Sequence, residues 1–407
     1  MSKTLTRVER HVIKPTDKRY AQIASICHKS KNLYNYTNHI LRQAFIMDKK
    51  LPKEHDLTKL LAKDNQVDYR SLPAQTSQQV IKLLYKNYKS FFKALKFYRK
   101  DKSKFTSNPK LPKYKKKDGY SITIFTSQTC KLKGDGKIYF SKSTGLKAIK
   151  SKVSNLKQVR FIPKATCFIV EIVHDIEQKI TETIANSFIS IDLGLDNFVT
   201  AIDSQSLKPF IINGKAIKSF NRYYNKQKAY YQSICKKSND KFNTKRLSKL
   251  STARNERIND FLHKASSYIL EFVKNYKIQN VIVGYNKDWK RGIDLGKKNN
   301  QNFVSIPYQS FIDKLAYKCE NFGINLILTE ESYTSKVDHL ANESLSKRYN
   351  YLGKRVKRGL FKSSVGKYLN SDINGAIGIA RKVFRDAVKT LADSGTAFVP
   401  IKINLVK

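Results

Sequence analysis

The sequence predicts an α+β chain of several domains whose C-terminal half is an RNase H-like fold. Three observations carry this reading. The stretch from Phe188 onward orders its elements as three strands, a long helical region, a strand, a helix, a strand and a helix, and that succession is the one an RNase H-like fold uses. The first part of the chain instead mixes long amphipathic helices with a cluster of short strands. With 407 residues, 40% of them hydrophobic, the chain is long and apolar enough for two to four structural units, despite its charge.

The elements follow in order. Residues 4–14, "TLTRVERHVIK", alternate like a strand. Residues 18–47 place Ile23, Ile26, Cys27, Leu33, Tyr34, Ile40 and Leu41 on one side of a helix. Residues 73–100 form a second helix, with Pro73 near its start, where a missing N–H does no harm. Leu84, Tyr88, Phe91, Leu95 and Tyr98 recur at spacings of four and three, and Lys82, Lys86, Lys89, Lys93, Lys96 and Lys100 line another face. A lysine stripe is ordinarily a solvated face; six cations with no acid among them point to an edge that tracks phosphates. The linker "SNPKLPKYKKKDG" (107–119) carries two prolines and five lysines. Strands are expected at 120–127, 137–141, 158–163 and 166–174, with the turn "KGDGK" closing a hairpin between the first two. These make a small β barrel that the N-terminal strand can join. Then "FISIDLGLDNFVTAID" reads as a two-strand hairpin and "KPFIING" as a third strand. A basic helical pair follows over 214–277, and within 215–264 stand fourteen Lys/Arg against three Asp/Glu. "NVIVGYN" is a fourth strand, 308–322 a helix, "INLILTE" a fifth strand, and 372–390 begin the last helix. Residues 332–370 are polar and basic with weak periodicity.

Charge narrows the partners. With 79 Lys+Arg against 32 Asp+Glu, the net charge of +47 destabilises a compact state unless a polyanion shares the surface, so a nucleic acid is expected. The 23 Tyr and 22 Phe add faces on which unpaired bases stack, although most of the Phe are expected in cores. Cys27, Cys130, Cys167, Cys235 and Cys319 stand singly, without disulfide or metal spacing, which fits a reducing compartment. No run reaches the roughly 18 apolar residues of a membrane span, and charges spread through the first 17 residues leave no signal-peptide core. A soluble, intracellular protein is expected.

The chemistry rests on a few acids. Asp192 interrupts the apolar strand "SIDLG", where a carboxylate is costly unless a cation neutralises it; an ordinary strand-end Asp is the alternative. Asp372 opens the last helix in "NSDINGA", where a plain N-terminal cap is the alternative. A nuclease of this fold holds two divalent ions about 4 Å apart, and three carboxylates are the usual minimum for neutralising them. The fourth strand would commonly offer one near position 284, but Gly284 stands there. The next strand ends in Glu330 and Glu331. Adjacent strands are about 5 Å apart, so a glutamate from the neighbour can reach the same place. Glu331 is expected as the ligand and Glu330 as the structural member of the pair, a solvated strand end being the alternative.

"SIDLGLDNFVT", "VIVGYNKDWK", "ESYTSK", "GKRVKRGLF" and "NSDINGAIGIARK" together resemble TnpB, the OrfB proteins of insertion sequences, related to the type V CRISPR effector nucleases. "LYNYTNHILRQAF" and "RINDFLHKASSYIL" extend the resemblance over nearly the whole chain. It implies a RuvC nuclease domain with a helical recognition lobe and a wedge-like β barrel. The boundaries would be 1–14 (first wedge strand), 15–118 (recognition lobe), 119–185 (wedge), 186–331 (nuclease core), 332–370 (basic insertion) and 371–407 (last nuclease helix and tail). It also implies magnesium-dependent, RNA-guided DNA cleavage, with manganese as a substitute metal. The guide RNA would come from the element end and the target would be double-stranded DNA, in the nucleoid-associated cytoplasm of a prokaryote or its phage, with no membrane partner. The family's first and third acids fall on Asp192 and Asp372; the usual second falls on Gly284 and is replaced, as in some rearranged members, by Glu331.

A second departure concerns zinc. Many members carry two C-x-x-C pairs between the Tyr-Thr-Ser segment and the last acid; here 332–370 contains no cysteine, Val337 stands where the first is expected, and His339 alone cannot hold the metal. No structural zinc is expected. Nucleic acid is expected to meet the α-helical lysines at 82, 86, 89, 93 and 96, then Lys215, Lys218, Arg222, Lys226, Arg254 and Arg257, and in the insertion Lys354, Arg355, Lys357 and Arg358, with Lys347 and Arg348 beside them. The competing readings are a nuclease-inactive, RNA-guided DNA-binding repressor, which Gly284 favours, and a transposase acting without guide RNA.

Overall fold

A computed structural model describes residues 3–238, 243–286, 305–385 and 400–406. The chain divides into two compact units, one spanning Thr4–Glu177 and the other running from Gln178 together with the extreme N-terminus.

The first unit begins with strand β1 (Thr4–Ile13) and helices α1 (Tyr20–Ile46), α2 (Glu54–Lys63), α3 (Val67–Arg70) and α4 (Ala74–Lys100). The apolar stripe of α1 buries Ile23, Cys27, Leu33, Tyr34 and Leu41, and that of α4 buries Val80, Leu84, Tyr88 and Phe91. Some of the polar groups buried here are paired: Tyr88 donates to Asn38 Oδ1 at 2.9 Å, and Ser30 shares a hydrogen bond with Thr123 at 2.7 Å. Strands β2 (Thr123–Thr126), β3 (Cys130–Leu132), β4 (Lys137–Phe140), β5 (Ile149–Lys150), β6 (Asn155–Pro163) and β7 (Phe168–Glu177) complete the unit. They form two antiparallel sheets, ordered β1-β7-β6-β2 and β3-β4-β5. The "KGDGK" turn is a hairpin turn, with Gly136 at φ +69°, but it joins β3 to β4 rather than β2 to β4. A tight turn in which the Thr129 amide donates to the Thr126 carbonyl at 2.9 Å ends β2 early, and β2 pairs with β6 instead.

The second unit holds strands β8 (Ile184–Asp192), β9 (Asn197–Asp203) and β10 (Phe210–Asn213), helices α5 (Lys215–Ser238) and α6 (Lys245–Asn275), strand β11 (Ile278–Gly284), helix α7 (Tyr308–Asn321) and strand β12 (Asn325–Thr329). After them come β13 (Lys354–Lys357), β14 (Leu360–Lys362), β15 (Tyr368–Asn370), helix α8 (Ser371–Val383) and β16 (Ile401–Ile403). The last helix, expected to 390, ends at Val383, where Phe384 turns extended at φ −121°, and 386–390 lie outside the described residues. The main sheet has the order β12-β11-β8-β9-β10-β16. Strands β8, β9 and β10 are antiparallel, while β11 runs parallel to β8 and β12 parallel to β11. That is the RNase H-like arrangement, with β16 added in parallel at the β10 edge.

The central strands carry apolar residues on both faces because both faces of the sheet are covered. Ile189, Ile191, Val281 and Val283 pack into the core beneath α6 and α7, and the alternate residues Phe188 and Ile282 pack on the opposite face with Ile373 and Ile377 of α8. Ser190, on that second face, donates to the Ala376 carbonyl at 2.7 Å. The weakly periodic stretch 332–370 ends in a small antiparallel sheet, β13-β14-β15, that leads directly into α8. Among the described residues, no helix is long and apolar enough to cross a membrane, and none of the five cysteines is joined in a disulfide.

Candidate metal centre

Three elements deliver acids to one end of the main sheet. Asp192 is the last residue of β8. Glu331 follows β12 by two residues, where the pairing of Thr329 with Gly284 sets the register against β11. From there its side chain turns back across the neighbouring strand. A Cβ built on Gly284 would lie 2.6 Å from Glu331 Oε1, 2.7 Å from its Cγ and 2.4 Å from Ile379 Cδ1. The glycine is thus required by close approach: the volume a side chain at 284 would use is filled by the glutamate of the next strand. The amide of Glu331 donates to Asn286 Oδ1 at 2.9 Å, so the end of β11 also fixes the backbone that carries this acid. Glu330 points away, exposed, and accepts from the Ser332 hydroxyl.

Asp372 sits in the first turn of α8, where the helix dipole favours a negative charge. It is not the cap. Asn370 holds that position and accepts from the Asp372 amide at 2.9 Å, which leaves the Asp372 carboxylate available to the site. Asn197, at the start of β9, donates to Asp372 Oδ2 at 2.7 Å. Arg355 of β13 reaches the same corner, 3.8 Å from Asp372 Oδ1 and hydrogen-bonded to the Ser371 hydroxyl at 3.0 Å. Gly375 lets α8 approach β8, since a Cβ there would lie 3.0 Å from Asp192 Oδ2.

The electrostatics of the cluster are those of crowded acids. Burial pushes the Asp192 carboxyl well above the usual range, and the charges of Glu331 and then Asp372 push it further, against the pull of Arg355. Burial lifts Glu331 to about 7, although Lys382 opposes the shift. Glu331 Oε1 is buried with no hydrogen-bond partner among the described residues. Burial also raises the Tyr308 phenol, and the charges of Asp192 and Glu331 add to the rise; its hydroxyl donates to the Gly194 carbonyl at 3.0 Å. Such a set fits a hard divalent cation, with oxygen donors only, an orphaned acceptor and repulsion that positive charge would relieve. As the side chains stand, no three acidic, His or Cys groups among the described residues gather closely enough to ligate one ion.

The predicted cations divide. Lys82, Lys86, Lys89, Lys93 and Lys96 are all exposed on α4. Lys215, Arg222, Lys226 and Arg257 are exposed on α5 and α6, as are Lys354 and Lys357 on β13. Lys218 and Arg358 instead both pair with Asp196, in the turn after β8, and Lys218 leads the effects that hold that carboxyl below its usual range. Arg254 is turned inward, donating to Asn221 Oδ1 at 2.6 Å and to the Ser305 carbonyl at 2.7 Å. Sequence reasoning missed Asn197 and Asn286, which contact the acids, because a single Asn at a strand end carries no pattern.

The OrfB_IS605 family, described as a probable transposase, matches residues 170–290, and the Cas12f1-like TNB domain matches residues 308–379. Over those segments the chain is similar to the OrfB (TnpB) family and to the Cas12f1-like TNB domain. The two matched segments contain all three acids, Asp192 in the first and Glu331 and Asp372 in the second. No curated protein matches the chain. Among solved structures it is similar to a Cas12f1–sgRNA–target DNA complex, at 14% identity and TM-score 0.50, over 93% of this chain and 99% of that one. It is also similar to the mini-RNA-guided endonuclease CRISPR-Cas_phi3, at 9% identity and TM-score 0.46, over 94% and 92%. A CRISPR-Cas12f ternary complex follows at 14% identity and TM-score 0.38, over 88% and 80%. At such identities the likeness to the first is one of fold.

Proposed function

We propose that this chain is an RNA-guided, magnesium-dependent DNA endonuclease with Asp192, Glu331 and Asp372 as its metal-holding acids. The observation that carries the reading is the cluster itself: carboxyls from three distant parts of the chain, with Asp192 raised by burial and by the charges of the other two, and Glu331 raised by burial and left with an orphaned oxygen. Evolving a stable fold does not favour such an arrangement; binding cations does. Magnesium, or manganese in its place, supplies an activated water and charge neutralisation at the scissile phosphate. The chain's own residues do the rest. Asn197 orients Asp372, Asn286 fixes the backbone of Glu331, and Gly284 vacates the position that Glu331 fills. Arg355 offers a cation beside Asp372 on the route a phosphate would take.

In this reading residues 1–14 and 119–185 form the wedge, 15–118 the recognition lobe, 186–331 with 371–407 the nuclease, and 332–370 meets target DNA. The exposed lysines of α4 and the cations of α5 and α6 grip an RNA–DNA hybrid by its backbone, and base pairing supplies the sequence. The net charge of +47 supports a large RNA partner.

The test is purification of the full chain with its bound RNA, sequencing of that RNA, and incubation with DNA complementary to its guide segment, with and without magnesium. Cleavage is expected only with both RNA and magnesium, and Asp192→Ala should bind the target without cutting it. Retained target binding with no product from the wild type would establish the repressor reading instead. Cutting by an RNA-free preparation would establish a transposase.

A further inference from the structure

The segment after Glu331 holds a buried relay that the proposed chemistry leaves unexplained. His339 is fully buried. Its Nδ1 lies 2.9 Å from Arg381 Nη1, and its Nε2 lies 2.7 Å from the Thr334 carbonyl. A guanidinium only donates, so Nδ1 must be the acceptor and Nε2 must carry the hydrogen that the Thr334 carbonyl receives. The ring is therefore neutral with one fixed tautomer. Burial, with the Arg381 charge adding to it, holds its pKa down to about 4, in keeping with that assignment.

Both ends of the relay lead to the acids. Thr334 is buried; its hydroxyl donates to the Glu331 carbonyl at 2.8 Å, and its amide donates to the same oxygen at 3.2 Å. Arg381 belongs to α8, the helix that opens with Asp372, and it also donates to the Glu343 carbonyl at 2.8 Å and to Asn342 Oδ1 at 2.6 Å. One turn below, Gly378 lets the loop lie against the helix. A Cβ there would stand 2.5 Å from His339 Nε2 and 2.8 Å from Thr334 Cβ. Asn374 donates to the Val337 carbonyl at 2.9 Å and adds a second tie between the loop and α8.

These residues do not fit zinc. No cysteine lies in 332–370, both nitrogens of His339 are engaged, and the neighbouring Asp338 carboxylate accepts from the hydroxyls of Ser363 and Ser364 and from the Ser364 amide at 2.6–2.9 Å. We propose that His339 is a positioning residue: clamped between Arg381 and Thr334, it fixes the turn bearing Glu331 to the helix bearing Asp372, so that hydrogen bonds set the distance between two acids without a structural metal. This rests on the reading of those acids as a metal centre.

The experiment is a Mn2+ titration of the full-length chain stripped of nucleic acid, followed by the electron paramagnetic resonance of free Mn2+, with Asp192→Ala as baseline. Residues that orient metal-binding side chains typically change affinity by about 10- to 100-fold. Accordingly, His339→Ala should weaken Mn2+ binding by at least about ten-fold. His339→Gln, which keeps an N–H for Thr334, should recover most of the loss. Gly378→Ala, which wedges the same contact from the helix side, should weaken binding without emptying the ring's site, and it serves if His339→Ala does not fold. Wild-type affinity in folded His339→Ala or Gly378→Ala would overturn the proposal, as would one zinc per chain by elemental analysis. If the wild type and Asp192→Ala bind Mn2+ alike, it is the metal-centre reading that fails.

Discussion

Glu331 and Asp338 lie seven residues apart, and both carboxyls are largely withdrawn from water, yet the protein treats them in opposite ways. Asp338 is saturated. Its two oxygens accept from the hydroxyls of Ser363 and Ser364, the amide of Ser364 and the amide of Ala341, and although burial pushes its pKa up, the Ser364 amide and the two hydroxyls bring it below the usual value. Glu331 is starved. Oε1 has no partner among the described residues, and burial raises the carboxyl to about 7. A buried acid supplied with donors is part of the scaffold, because its desolvation is offset by hydrogen bonds to the charged form. A buried acid denied them, with Asp192 beside it, is stabilised by holding its proton or by a cation that takes the proton's place. The contrast separates structure from function without reference to any relative.

The sharpest break of that contrast is a pair of isosteric changes. On the proposed function, Asp192→Asn should reduce cleavage by at least about 10^3-fold, since it would remove a metal-holding charge. In metal-free buffer the same change should raise the thermal midpoint, because it removes a carboxylate repelled by two others, an effect of about 1 kcal/mol. Asp338→Asn should do the reverse to stability and lower it by about 3 kcal/mol, because its amide turns a donor toward the serine donors. Differential scanning fluorimetry with and without magnesium reads both. Equal signs for the two variants would end the distinction.

The next effect is one of pH. The Glu331 carboxyl is raised from 4.5 when unperturbed to about 7 in the folded chain. Between those values the unfolded chain has released the proton and the folded chain still binds it, so this group's contribution to metal-free stability is full below about 4.5, falls as pH rises and is lost above about 7. Asp338, lowered in the fold, contributes with the opposite slope: its share is present at neutral pH and is lost as pH falls through its folded pKa. Glu331→Gln should therefore flatten the decline across that window in chemical denaturation, and magnesium should flatten it in the wild type. An unchanged slope in Glu331→Gln would show that the group is not starved.

Much of this was legible in the sequence, for physical reasons. The main sheet was readable because continuous apolar runs such as "NVIVG" arise when both faces of a strand are buried, and α4 because its two stripes keep helical spacing over 27 residues. Gly284 could be read as a missing acid because strand spacing puts a neighbour's side chain within reach. What stayed illegible depends on tertiary contact. Apart from the Ala341 amide, the donors to Asp338 come from residues 25 and 26 positions later, and nothing in "VDHL" announces them. The β3–β4 pairing was missed because strands of three and four residues leave too little periodicity to set a register. The inward turn of Arg254 was invisible because an arginine spent on an asparagine looks, in sequence, like one offered to a phosphate.

The cations obey the same division as the acids, which gives the mildest prediction. Lys82, Lys86, Lys89, Lys93 and Lys96 are exposed, and none has an ion-pair partner among the described residues, whereas Arg254 is spent on Asn221 and Ser305. Each α4 lysine that meets a phosphate releases a counterion, so Lys89→Ala with Lys93→Ala should weaken RNA binding evenly across sequences and reduce the slope of log affinity against log salt by roughly 0.7–0.9 per residue. Arg254→Ala should leave that slope unchanged and lower thermal stability instead, because Asn221 Oδ1 and the Ser305 carbonyl lose their donor in a half-buried place. Fluorescence anisotropy at several salt concentrations separates the two. A reduced slope for Arg254→Ala, or none for the lysine pair, would mean that engagement within the fold does not sort this protein's cations as it sorts its acids.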